Sequence, residues 1–96
     1  MTCYIMVEAT APADKFEESA KVAIETRAEY PGYIKKVVDL GENFVNYTLY
    51  AIEDAKLVDA LKYITNRYQK IAKAVPGYEY YTRILLDTAD WMAAMQ

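Results

Sequence analysis

Apolar and polar positions alternate along four short stretches of the chain and recur at helical spacing along the segments between them. Residues 3–10, CYIMVEAT, are rich in β-branched and aromatic side chains and stop before Ala11-Pro12, which predicts a strand. Pro12 stands where a helix begins, a place that tolerates its missing N–H. From Asp14 to Tyr30 the residues Phe16, Ala20, Ala23, Ile24 and the stem of Arg27 share one helical face. Pro31-Gly32 stops that helix. Residues 33–41, YIKKVVDLG, predict a second strand and 44–53, FVNYTLYAIE, a third. The short Gly41-Glu42-Asn43 link makes them a hairpin. Asp54 is an N-cap for the next helix, where Leu57, Leu61, Ile64, Tyr68, Ile71 and Val75 form a continuous apolar stripe. Pro76-Gly77 ends it. Residues 78–87, YEYYTRILLD, predict a fourth strand, and Thr88 caps a short helix from Ala89 to Gln96 that carries Trp91, Met92 and Met95.

The order is β-α-β-β-α-β with a helical tail. Both long helices end in the same tripeptide, Pro31-Gly32-Tyr33 and Pro76-Gly77-Tyr78, 45 residues apart, and each leads into a strand. That repetition marks two βαβ halves. Right-handed crossovers then give an α+β fold, a four-stranded antiparallel sheet in spatial order 4-1-3-2 with both helices on one face. This is a ferredoxin-like plait, a single domain over residues 1–96 with no linker.

Two helices cover one sheet face and leave the other open. Assigning the more aliphatic set of each strand to the helices leaves Tyr4, Met6, Glu8, Asn46, Thr48, Tyr50, Tyr81 and Arg83 on the open face. Such a face is too aromatic for plain solvent exposure and too polar for a dry core, so it meets a partner. Two copies stacked through it enclose a central cavity. The repeat argues differently at one strand: it sets Ile5 with Tyr50 and Val7 with Ile52, which moves Tyr50 to the helix side. A slip of one residue exchanges the faces.

Composition removes several classes of function. The chain has 96 residues, ten of them tyrosine and none histidine. Without histidine, His-based triads, His-ligated haem and most zinc sites are excluded. Net charge is −3, and the cations Lys62, Arg67, Lys70 and Lys73 read as a solvated helix face, which argues against nucleic-acid binding. Cys3 has no partner for a disulfide and lies in an apolar run, where a buried thiol is expected. No apolar run reaches the roughly 18–20 residues of a membrane span, and the first residues lack the features of a secretory leader. A soluble cytoplasmic protein is expected. Glu53 and Asp54 are adjacent carboxylates on a strand end and point to opposite sides, so no metal is expected there. Nothing calls for a cofactor.

The length, the element order, Pro31-Gly32-Tyr33 before strand two, the strand-three end Tyr50-Ala51-Ile52-Glu53-Asp54 and the tail after Asp87 together resemble the dimeric α+β barrel superfamily. Within it the chain is similar to small members of unassigned function with a like acidic pair ahead of the second helix. The resemblance implies a homodimer through the open sheet face. The superfamily includes cofactor-free monooxygenases, haem-degrading enzymes, isomerases, dehydratases and ligand-sensing domains. The haem branches use a histidine that this chain lacks. The monooxygenase branch places Asn, Tyr, Trp and Arg around an aromatic substrate, and Asn46, Tyr50, Tyr81, Arg83 and Trp91 are of those types.

The ligand-binding candidates are therefore Tyr4, Glu8, Asn46, Tyr50, Tyr81, Arg83 and Trp91. Glu8 and Arg83 face each other across strands one and four, either as base and anion anchor or as an ion pair that fixes dimer register. Asn46 and Tyr50 orient a polar ligand atom or bond across the subunit interface. Tyr4 and Tyr81 stack on a planar ligand or pack. Trp91 lids a cavity or clasps the partner subunit. The functional expectation is a homodimeric small-molecule-binding protein, or an accessory subunit of a larger assembly, with the cavity between the two sheets. The alternatives are a cofactor-free monooxygenase or isomerase acting on a small aromatic or enolisable compound, and an interaction module docking an acidic protein.

Overall fold

The computed structural model describes residues 2–26 and 30–95. Strand β1 (Thr2–Thr10) is followed by a 3-10 turn over Ala13–Lys15 and helix α1 (Phe16–Glu25); then come β2 (Ile34–Glu42), β3 (Val45–Glu53), a 3-10 turn over Asp54–Lys56, α2 (Leu57–Ala74), β4 (Glu79–Leu86) and α3 (Thr88–Ala94). The sheet runs β2-β3-β1-β4, with every neighbouring pair antiparallel. The predicted order and class are those observed. Helix α1 is shorter than the stretch from Asp14 to Tyr30, and Arg27 and Gln96 lie outside the described residues.

The core forms where the stripe of α2 meets one face of the two central strands. Cys3, Ile5, Val7 and Ala9 point to the helices from β1 and are all buried. Ala60, Ile64, Tyr68, Ile71 and Val75 meet them from the α2 segment and are buried too. Burying such side chains stabilises the fold by roughly 1.5–3 kcal/mol each for the larger aliphatic ones.

The face assignment of β3 needs correction. Register pairs Ile5 with Tyr50 and Val7 with Thr48, so Asn46, Thr48 and Tyr50 lie on the helix side, not on the open face. Tyr50 is 1% exposed and Thr48 2%. Hydrogen bonding makes this burial tolerable: the Tyr50 hydroxyl meets two other tyrosine hydroxyls, and Thr48 bonds Asp39 and Asn46. Val45, Tyr47, Leu49 and Ala51 take the open face and stay half-buried. The alignment of the two halves, which moved Tyr50 inward, agrees with the structure.

Two caps also differ. No side chain caps the turn that leads into α2; Asp54 instead accepts a hydrogen bond from the Cys3 thiol at 3.1 Å. That bond, with burial and the Asp54 charge, pushes the Cys3 thiol above its ordinary pKa. Asp87, not Thr88, caps α3 by accepting from the Ala89 N–H at 2.9 Å.

The two Pro-Gly turns are unlike each other. Gly77 sits at φ +90, where side-chain-bearing residues are strained, and a Cβ there would lie 2.8 Å from Pro12 Cγ. Gly32 has open space around it. Only the second turn is pressed against the start of the first crossover. On the edge strand β2, a register shift between Lys36 and Val38 inserts Val37 as a bulge. With Lys35, Lys36, Asp39 and Glu42 along the strand, the bulge discourages edge-to-edge pairing.

Candidate functional site

Helix α1 packs mainly along α2 and stands off the sheet. Only Ser19 of α1 is buried. Phe16, Ala20, Ala23 and Ile24, the predicted packing face, instead line a cavity of about 670 Å³ between the helices and the β2-β3 half of the sheet. That volume suits a small organic ligand. Ala9, Ala11 and Ile71 supply further apolar wall. At the mouth, the rings of Phe16 and Phe44 meet edge to face with centroids 5.6 Å apart. Phe44 follows Asn43, which takes φ 52 in the hairpin turn, a conformation Asn tolerates. The Phe44 carbonyl is tied to Ala11 by the N–H of Ala11 at 2.9 Å.

The cavity has polar groups at two places. The first lies on the helix side of the β2-β3 hairpin. Asn46 Nδ2 donates to Asp39 Oδ1 at 2.7 Å, Thr48 Oγ1 lies 3.2 Å from the same oxygen, and Lys36 Nζ is 3.4 Å from Asp39 Oδ2. Burial alone would raise the Asp39 carboxyl, but the bonds from Asn46 and Lys36 outweigh it and hold the carboxyl below its ordinary pKa.

The second gathers around Arg67 of α2. Its Nη1 donates to the Tyr30 hydroxyl at 3.0 Å and its Nη2 to the Ala23 carbonyl at 3.1 Å. The Tyr30 oxygen lies 2.9 Å from that of Tyr50, which lies 3.1 Å from that of Tyr68. The guanidinium also sits over the Tyr68 and Tyr30 rings at 5.4 and 6.0 Å. Burial works against its charge, and the surrounding tyrosine hydroxyls outweigh that, so its pKa is raised. Burial, with the neighbouring tyrosine hydroxyls, pushes Tyr50 far above the ordinary phenol value. Tyr78, also on the cavity wall, is raised mainly by burial.

The seven residues singled out from the sequence separate into three groups. Asn46 and Tyr50 line the cavity. Tyr4, Glu8, Tyr81 and Arg83 lie on the opposite sheet face, where Arg83 Nη1 is 3.9 Å from Glu8 Oε1 and both side chains reach solvent. Trp91 is half exposed on α3. The space enclosed by the chain is thus on the helix side of the sheet, whereas the sequence pointed to the open face. Arg67, Tyr30, Tyr68, Lys36 and Asp39 were not singled out. Arg67 is not part of a solvated stripe with Lys62, Lys70 and Lys73: those three are exposed, while its guanidinium turns inward. One signal was available, since Arg67 stands between Ile64 and Ile71 at helical spacing.

No protein-family model matches the sequence, and no curated protein does either. Among solved structures the chain is similar to a de novo designed protein with a ferredoxin fold (TM-score 0.56, 20% identity, covering 92% of this chain and 88% of that one). It is also similar to a candidate antibiotic biosynthesis monooxygenase from Caulobacter crescentus CB15 (TM-score 0.55, 18% identity, 88% and 87% covered). A third is a dimeric ferredoxin-like protein from an uncultured marine organism (TM-score 0.50, 12% identity, 91% and 90% covered). These likenesses establish a ferredoxin-like fold. Among the described residues, no helix is long and apolar enough to cross a membrane.

Proposed function

We propose that the chain is a cytoplasmic, homodimeric protein that binds a small, planar, largely apolar molecule between its sheet and its helices. The carrying observation is the cavity of about 670 Å³, apolar along α1 and polar at two separate places. That is the make-up of a small-molecule site, with apolar walls for affinity and a few polar groups for orientation. The ligand reading is tested by titrating bicyclic and tricyclic aromatics into the protein and following melting temperature. A rise that saturates with ligand supports it; no shift across the series rejects it.

Self-association through the open face is part of the same proposal. Tyr81 is 57% exposed there and pairs with Glu8, and the same face carries Met6, Tyr47 and Leu49 on the two central strands. The dimeric ferredoxin-like neighbour supports this reading. Native mass spectrometry of the intact chain and of Tyr81→Asp tests it: a dimer for the first and monomer for the second is expected. A wild-type chain that stays monomeric at tens of micromolar rejects it. The free, buried thiol of Cys3 fits a reducing compartment.

A second reading is a cofactor-free monooxygenase, favoured by neighbours from Caulobacter crescentus and Chloroflexus aurantiacus described as candidate antibiotic biosynthesis monooxygenases. In such a reaction an activated methylene between two aryl groups loses two hydrogens and gains one oxygen as a carbonyl. The second oxygen atom of dioxygen leaves as water. Oxygen uptake with an anthrone above the rate in buffer would support it, and no excess uptake would leave the binding function alone.

A further inference from the structure

Among the described residues, the polar group around Arg67 contains more donors than its partners use. Three tyrosine hydroxyls are joined by two links, Tyr30 to Tyr50 and Tyr50 to Tyr68. Each link consumes one hydroxyl proton, so one of the three protons is left over whichever way the chain is oriented. Arg67 carries five N–H groups. One goes to the Tyr30 hydroxyl and one to the Ala23 carbonyl. Its Nε is buried and meets no acceptor. No carboxylate among the described residues comes within ion-pair distance of it. The carboxylate on the cavity wall, Asp39, is engaged by Lys36, Asn46 and Thr48 instead. Among the described residues, the cavity wall thus holds a permanent cation with neutral partners and a surplus of donors, and a carboxylate, Asp39, that is already compensated.

We propose that the Arg67–Tyr30–Tyr50–Tyr68 cluster is an oxyanion subsite and that the ligand is an acidic aromatic, a phenol or enol held there as its anion. This inference rests on the cavity being the ligand site. An ionised ligand oxygen accepts several hydrogen bonds at once, and such charge-assisted bonds are about twice as strong as neutral ones. A guanidinium already half desolvated against tyrosine rings gains more from an anion than an exposed one does. The three hydroxyls contribute one spare proton between them, and it shifts along the chain by rotation of O–H bonds without displacing a ring.

The test uses 7-hydroxycoumarin, whose anion is visible by its red-shifted absorbance, and its neutral isostere 7-methoxycoumarin. Both are titrated into the intact protein across the pH range in which the free phenol ionises. The expected result is about tenfold tighter binding of the phenolate than of the phenol, seen as a fall of about one unit in the apparent pKa of the bound probe. Arg67→Gln should abolish that preference and Arg67→Lys should keep most of it. If Arg67→Gln does not fold, the wild-type comparison still decides. Equal binding of the two coumarins at all pH values overturns the oxyanion subsite and leaves the cavity as a neutral-ligand site. Binding of neither, with no thermal shift from other aromatics, overturns the cavity reading itself.

Discussion

The phenolic oxygens of Tyr50 and Tyr68 lie 3.1 Å apart, one rising from the central strand β3 and the other descending from α2. Tyr50 also meets Tyr30, so it is the middle of the hydroxyl chain. Tyr50→Phe removes both links and leaves two partners short; the expected cost is about 1–3 kcal/mol. Tyr68→Phe removes one link and should cost about half as much. Urea denaturation of the three proteins checks the ranking, and equal midpoints for all would show that the chain contributes nothing to stability.

Burial of Tyr50 makes the fold sensitive to alkali. Its pKa is raised in the folded chain, whereas the unfolded tyrosine ionises near 10. Below that value both states hold the proton and stability is unaffected. Above it the unfolded state sheds the proton first, so stability falls as pH rises, by about 1.4 kcal/mol per pH unit from this one group. Tyr78 shifts in the same direction and adds a smaller share because it is partly exposed. Denaturation midpoints across that range should fall, and Tyr50→Phe should show a shallower fall.

The two repeat glycines should respond differently to the same substitution. Gly77→Ala places a methyl group against Pro12 at a positive φ, and an expected loss of about 1–3 kcal/mol follows. Gly32→Ala meets no atom within 4 Å and should be close to neutral. Melting temperatures of the pair give the comparison directly, and a costly Gly32→Ala beside a harmless Gly77→Ala would contradict it.

Filling the cavity separates binding from folding. Ala20 is exposed on α1 and lines the cavity wall. Ala20→Trp should weaken binding of an aromatic probe at least tenfold, with a change in unfolding free energy within about 0.5 kcal/mol, as for other exposed positions. Isothermal calorimetry together with denaturation measures both, and unchanged affinity would move the binding site elsewhere.

Much of the fold was legible because its signals are one-sided. The stripe Leu57 to Val75 has a single buried face, and β1 alternates cleanly between buried Cys3, Ile5, Val7 and Ala9 and their half-buried neighbours. Strand β3 was misread because its polar-looking set is the buried one. A ranking by aliphatic character cannot see that Asp39 satisfies Thr48 and Asn46, or that Tyr50 finds two hydroxyls. Arg67 was hidden among lysines that share its helix but not its direction. The partner that turns it inward, Tyr30, stands 37 residues earlier, a separation that no local pattern reports. Only Asn46 and Tyr50 of the original candidates reach the cavity, since the open face drew the others.

The sparse burial of α1 bears on how fast a ligand comes and goes. A helix that fully buries one side chain, with Val22 and Ala23 only partly buried against the core, costs little to lift compared with unfolding the sheet and α2 beneath it. Its amides belong to the low-energy end of the opening spectrum. A breathing roof of this kind exchanges its guest without disturbing the scaffold, and occupancy would slow that breathing, tying residence time to the protection of a single helix.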